Sequence, residues 1–138
     1  MTIKSPLRYP GGKSRAIPQI RKNLPASFME FREPFVGGGS VFLFIRQNYP
    51  HVKVWINDLN YDLYCFWKTA QIDTRGLAQA VTKIKEECVH GQELFDELRE
   101  NFHADISEFD RAARFFVLNR ISFSGTVDSG GYSELAFR

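Results

Sequence analysis

The stretch Phe31 to Phe42, FREPFVGGGSVF, most constrains what this chain can become. An apolar run breaks into three consecutive glycines, Gly37, Gly38 and Gly39, and then resumes with helical spacing. Glycine permits positive φ and removes every side chain. The pattern therefore predicts a strand, a tight turn open to close approach, and a helix for which Ser40 is the expected cap. The first N–H groups of such a helix have no partners within it and sit at the positive end of its dipole, which suits a nucleotide or a carboxylate.

The flanks extend the pattern. Phe28 to Glu33, bounded by Pro25 and Pro34, reads as the strand entering the turn. Val41, Phe42, Phe44 and Ile45 form the apolar face of the helix leaving it, which stops at Asn48-Tyr49-Pro50. Val52, Val54 and Ile56 then alternate with Lys53, Trp55 and Asn57, a second strand with Asp58 at its carboxyl end. Strand, glycine turn, helix and strand make a βαβ unit of the kind that binds a nucleoside, with a right-handed crossover. Asp58 lies roughly 20 residues past the turn, the separation at which an acid accepts hydrogen bonds from both ribose hydroxyls. It can alternatively cap the helix after it, although Asn57 or Asn60 can do the same.

The fold class expected is α/β: a partial Rossmann-like domain of two parallel strands over 1–72, running into a helical and hairpin segment over 73–138. A Pro-, Gly- and Arg/Lys-rich loop precedes a helix from about Ser14 to Asn23. Gly12-Lys13-Ser14 invites comparison with a P-loop, but the earlier glycine is replaced by Leu7 and no apolar strand precedes it, which sets nucleotide hydrolysis aside. In the second half Leu77, Val81, Ile84 and Cys88 share one helix face, Leu94, Phe95, Leu98 and Phe102 a second, and Ser107 to Asp110 resembles a capping box starting a third. Asn119 to Arg138 turns polar, with Ser129-Gly130-Gly131 as the expected bend of a hairpin.

Bulk properties narrow the function classes. A chain of 138 residues, 43% hydrophobic and 25% charged, has an ordinary globular composition. Its net charge of +2 permits a nucleic-acid partner without demanding one. Cys65 and Cys88 are expected as reduced, buried thiols. His51, His90 and His103 are not spaced for a metal. With no apolar run of membrane-spanning length and no leader-like segment, a cytoplasmic protein without membrane contact is expected.

Tyr9-Pro10-Gly11-Gly12-Lys13, Glu33-Pro34-Phe35-Val36-Gly37-Gly38-Gly39-Ser40, Asn57-Asp58 and Asn119-Arg120 occur in the order found in Dam-type DNA adenine methyltransferases, and the chain resembles that family along nearly its whole length. The resemblance implies methyl transfer from S-adenosylmethionine to the N6 amine of adenine in double-stranded DNA. It assigns cofactor binding to Tyr9, Gly12, Lys13, Glu33, Phe35, Gly37, Gly39 and Asp58. Tyr9-Pro10 stands where relatives often have Trp-Ala, so the aromatic wall is smaller. The cofactor's chemistry agrees: a ribose diol for Asp58, an amino-acid end for the turn and Lys13, and an adenine ring that needs apolar walls.

By the same resemblance the segment after the third helix begins the DNA-recognition region, with Asn119, Arg120, Ser124, Tyr132 and Arg138 as candidate contacts. The family's catalytic motif, Asp or Asn followed by Pro-Pro and an aromatic, follows that region. It is absent here, since the six prolines include no adjacent pair. The expectation is the amino-terminal part of a methyltransferase, inactive alone, with open sheet edges that pair with a second copy or with the remaining half. A non-catalytic cofactor- or DNA-binding remnant is the alternative. A nicotinamide-binding domain is a third reading, disfavoured because Phe42 occupies the last glycine position of GxGxxG.

Overall fold

The computed structural model describes residues 2–101 and 105–137. It divides into two compact units, Met1–Leu59 and Asn60–Arg138.

In the first unit a 3-10 turn at Lys13–Ala16 leads into α1 (Ile17–Lys22). Pro18 is tolerated in the first turn of α1 because the N–H it lacks has no helical partner there. Strands β1 (Glu30–Glu33) and β2 (Lys53–Ile56) pair in parallel, with Glu30 opposite Lys53 and Glu33 opposite Ile56. Flanking bonds from Lys53 N–H to the Met29 carbonyl (2.9 Å) and from Asn57 N–H to the Glu33 carbonyl (3.0 Å) carry the ladder to nearly the expected lengths. Between the strands runs α2 (Ser40–Asn48).

Val41, Ile45 and Val52 are buried at the centre of this unit, with Phe28, Phe31, Phe44 and Tyr49 packed around them. Alternation along the strands explains why: Phe31 and Val54 turn toward α2, whereas Arg32 and Trp55 stay exposed on the opposite face. The tilted Phe28–Tyr49 ring pair, 5.1 Å between centroids, ties the entry to β1 to the loop after α2.

The second unit is helical. Its elements are α3 (Tyr61–Ile72), α4 (Thr74–Glu87), α5 (Gly91–Glu100), α6 (Glu108–Ile121) and α7 (Glu134–Phe137). Asn60 caps α3 by accepting the Leu63 N–H (3.1 Å), and Asp73 caps α4 by accepting that of Gly76 (2.8 Å). At α6 the N-cap half of the expected box forms: Ser107 Oγ accepts the Asp110 N–H (3.1 Å), and the Ser107 hydroxyl also donates to the Asp110 carboxylate (2.6 Å). Helix α6 is the axis of this unit, burying Ala112, Ala113, Phe115, Val117 and Leu118. Across the α3–α6 contact Phe66 stacks on Phe116 with centroids 5.5 Å apart. Beside it Asp62 faces Arg111 at 3.1 Å and Arg114 at 3.3 Å.

Leu77 on α4 and Leu94 and Phe95 on α5 are buried, as the helical spacing implied, while Phe102 and His103 lie outside the described residues. Cys65 is buried but Cys88, at the C-terminal boundary of α4, is only half-buried, which corrects the expectation of two buried thiols.

The hairpin expected over 119–138 is reduced to one antiparallel bridge, framed by Phe123 N–H to the Gly131 carbonyl and Ser133 N–H to the Ile121 carbonyl, each 2.8 Å. Helix α6 continues through Ile121, a 3-10 turn covers Phe123–Gly125, and one antiparallel bridge joins Ser122 to Tyr132 before α7. Arg99 donates to the Gly130 carbonyl (2.9 Å) and ties the loop to α5.

Candidate functional site

The glycine turn and the tips of both strands meet in the first unit. Gly37 (φ 49°) and Gly39 (φ 73°) adopt the left-handed conformation that glycine alone takes at little cost. Val36 N–H donates to the Asn57 carbonyl at 2.9 Å, joining the β1 tip to the β2 tip. The next amide, Gly37 N–H, donates to Asp58 Oδ2 at 2.9 Å. Asp58 thus points at the mouth of the turn, half-buried, and Asn60 takes over the capping of α3.

Ser40 does not cap α2. The cap position falls on Gly39, which has no side chain to offer, and Ser40 is the first residue of the helix. The missing acceptor comes from β1: Phe42 N–H donates to Glu33 Oε2 at 3.1 Å. Half-buried at the sheet tip, the Glu33 carboxyl is pushed up to about 7 by desolvation, while the Phe42 N–H and the Lys13 charge act in the opposite direction without prevailing.

Tyr9 approaches from the amino-terminal side. Tyr9-Pro10-Gly11-Gly12 is a tight turn closed by Gly12 N–H to the Tyr9 carbonyl (3.0 Å), with Gly11 at φ 73°. Proline second and a positive-φ glycine third is the type II arrangement. The turn places the Tyr9 side chain against Gly37 and Gly38: a Cβ on Gly37 would lie 2.9 Å from a Tyr9 ring carbon.

Together these groups enclose a cleft of about 260 Å³ lined by Tyr9, Gly12, Lys13, Glu33, Phe35, the three glycines and Asp58. All eight residues expected to bind the cofactor are on its wall. Its volume falls just below the usual small-molecule range. Lys13 is exposed, and Phe35 is 75% exposed beside the strand tips. The donor set is one acid accepting from the turn, one lysine and two aromatic faces. It fits a ligand carrying a diol, a charged amino-acid end and a flat ring.

Sequence reasoning passed over Gly11 and Ser40 as wall residues. The Pro-Gly pair was the available signal for Gly11, since proline followed by glycine marks a type II turn.

The candidate DNA contacts lie in the second unit and are not one accessible group. Asn119 is 1% exposed and donates to the Gly125 carbonyl at 2.9 Å, so this side chain is built into the packing, and its placement as a surface contact is corrected. Tyr132 is half-buried with its ring 6.1 Å from that of Phe95, and its hydroxyl donates to Glu134 (2.6 Å). That hydroxyl and the Phe137 ring lie so close to Gly91 that no Cβ fits there. Arg120 is half-buried in the last turn of α6. Ser124 is exposed at φ 56°, a strained conformation for a non-glycine residue. Arg138 lies outside the described residues.

Comparison with known proteins gives this geometry a context. The family model described as D12 class N6 adenine-specific DNA methyltransferase matches residues 9–137. The Type II methyltransferase M.MjaIII of Methanocaldococcus jannaschii is 32% identical over 138 residues, covering 91% of this chain and 48% of that protein. DNA adenine methylase of Salmonella typhi is 32% identical, and that of Escherichia coli 31%, each over 119 residues, 86% of this chain and 41% of theirs. The chain thus spans about half the length of the curated relatives it matches. No helix among the described residues is long and apolar enough to cross a membrane.

Proposed function

Since the chain belongs to the D12 class N6 adenine-specific DNA methyltransferase family, we propose that it is the donor-binding portion of an enzyme that moves a methyl group from S-adenosylmethionine to the N6 amine of adenine in double-stranded DNA. The observation that carries this reading is the bond between Gly37 N–H and the Asp58 carboxylate, which holds an acid at the lip of the glycine turn. In this reading Asp58 accepts from the ribose hydroxyls, Phe35 and Tyr9 flank the adenine ring, and Lys13 receives the carboxylate of the amino-acid end. Gly12, Gly37 and Gly39 supply close backbone approach. When bound, S-adenosylmethionine supplies an electrophilic methyl on a positively charged sulfur.

In this reading the cleft residues orient that donor. The sequence has no adjacent proline pair, so we propose that this polypeptide binds the donor without transferring its methyl group by itself. In the second unit, Arg120, Ser124, Tyr132 and Arg138 remain the proposed DNA contacts, and DNA the proposed partner. The protein is proposed to work in the cytoplasm. The sheet has two strands, and we propose that its open edges pair with a second copy or with the remaining half as the route to an active enzyme.

Calorimetric titration of S-adenosylmethionine into the wild type and Asp58→Ala tests the reading. Loss of the ribose hydrogen bonds is expected to weaken binding by roughly 1.5 to 3 kcal/mol. An analogue lacking both ribose hydroxyls should bind the wild type about as weakly as the natural donor binds the variant. Equal affinity of wild type and variant for S-adenosylmethionine would sink the assignment. Labelled donor with unmethylated duplex DNA checks the second part, and robust incorporation by the purified chain would overturn it.

A further inference from the structure

We infer that Glu33 is a positioning residue, the displaced cap of α2, which holds the glycine turn in register with the β1 tip and acts on the donor through that turn without touching it. The inference rests on the reading of the cleft as a donor site, but its structural half stands alone.

A helix whose cap position is glycine leaves its early N–H groups without the side-chain oxygen that serine, threonine or aspartate would provide. Here Gly39 is required at φ 73° and cannot supply one. Glu33 lies six positions earlier in sequence, yet its Oε2 reaches the third N–H of the helix, Phe42, at 3.1 Å. That is the bond an ordinary capping side chain makes. The Glu33 backbone carbonyl meanwhile accepts from Asn57 N–H at 3.0 Å. One residue therefore fastens the β1 tip to both the β2 tip and the start of α2, and Gly37 to Gly39 run between those anchors. The same Gly37 carries the N–H bond to Asp58. Loosening Glu33 would let the turn drift from Asp58 even with every other wall residue intact.

The cap needs an oxygen acceptor and not a charge. Burial opposes the ionised form of Glu33, and the charged groups sharing its cleft are Lys13, which favours the carboxylate, and Asp58. Glutamine keeps an oxygen at the same reach, whereas alanine keeps none. The two substitutions therefore separate a cap from a ligand-contacting carboxylate.

Glu33→Gln and Glu33→Ala are made in the full chain. The exchange rate of the Phe42 amide is measured by NMR without ligand, and the Kd for S-adenosylmethionine by calorimetry. Glu33→Gln is expected to keep Phe42 protected and its Kd within about threefold of wild type. Glu33→Ala is expected to speed Phe42 exchange and raise the Kd, each by about tenfold. If Glu33→Gln loses binding as severely as Glu33→Ala while Phe42 stays protected, the carboxylate charge contacts the donor and the inference is overturned. Unchanged Phe42 exchange in Glu33→Ala overturns it as well. If Glu33→Ala does not fold, Glu33→Gln alone decides, since the inference requires near-native binding and protection. Failure of the wild type to bind S-adenosylmethionine would remove the donor reading, while the exchange measurement would still test the cap.

Discussion

Each unit contains an aspartate a few residues from the other in sequence, and the surroundings give them opposite duties. Asp58 ends a strand at the rim of a cleft, half-buried, with the Gly37 N–H as a fixed donor. Asp62 lies in the first turn of α3, 8% exposed, and is met by two arginines from α6. An acid left at a rim retains access to solvent and to a ligand. One taken between helices has to be answered by charges of the chain itself, and then helps fix how those helices register. The first unit carries its chemistry on a thin sheet, and the second spends its charges on holding helices together.

Substitutions sharpen this contrast. The largest effect is expected from Asp62→Ala, which leaves Arg111 and Arg114 partly buried with no acid between them. A loss of about 3 to 5 kcal/mol in urea unfolding is expected, and a cost below about 1 kcal/mol would mean that the second unit does not rely on this cluster. Next comes the pH response of Glu33. Its folded-state pKa, about 7, lies above the unfolded value near 4.5, so between these limits the native state holds a proton that the unfolded chain has released. Wild-type stability is therefore expected to fall, relative to Glu33→Gln, as pH rises from 5 to 8. The difference is about 1 to 2 kcal/mol once screening of a half-buried group is allowed for. A difference flat with pH would show that burial does not hold the proton. Smallest is Ser107→Ala, which removes the α6 cap and should cost about 1 kcal/mol, measured by the same unfolding curves.

How much could be read beforehand differs between the units for the same reason. The Pro-bounded run Phe28 to Glu33, the period-two alternation in Val52 to Asn57 and the glycine run were enough to place both strands and α2, because each signal is local. The cap of α2 was not legible, since its acceptor sits in β1 and only the fold brings Glu33 to Phe42. In the second unit the Ser107 cap of α6 and the apolar spacing of α4 and α5 were local and were read. Asn119 was not. A polar residue near a glycine-containing segment looks like surface, and only the tertiary structure shows the Gly125 carbonyl that occupies it. The length of the hairpin was misjudged similarly, because nothing in Asn119-Arg120-Ile121 signals whether α6 stops or continues.

The two tryptophans fall on opposite sides of this division. Trp55, 49% exposed on the uncovered face of the sheet, and Trp67, 9% exposed within α3, give each unit one intrinsic fluorophore. Iodide should quench the first and spare the second, so a single emission spectrum can follow the melting of the strands and of the helices as separate signals.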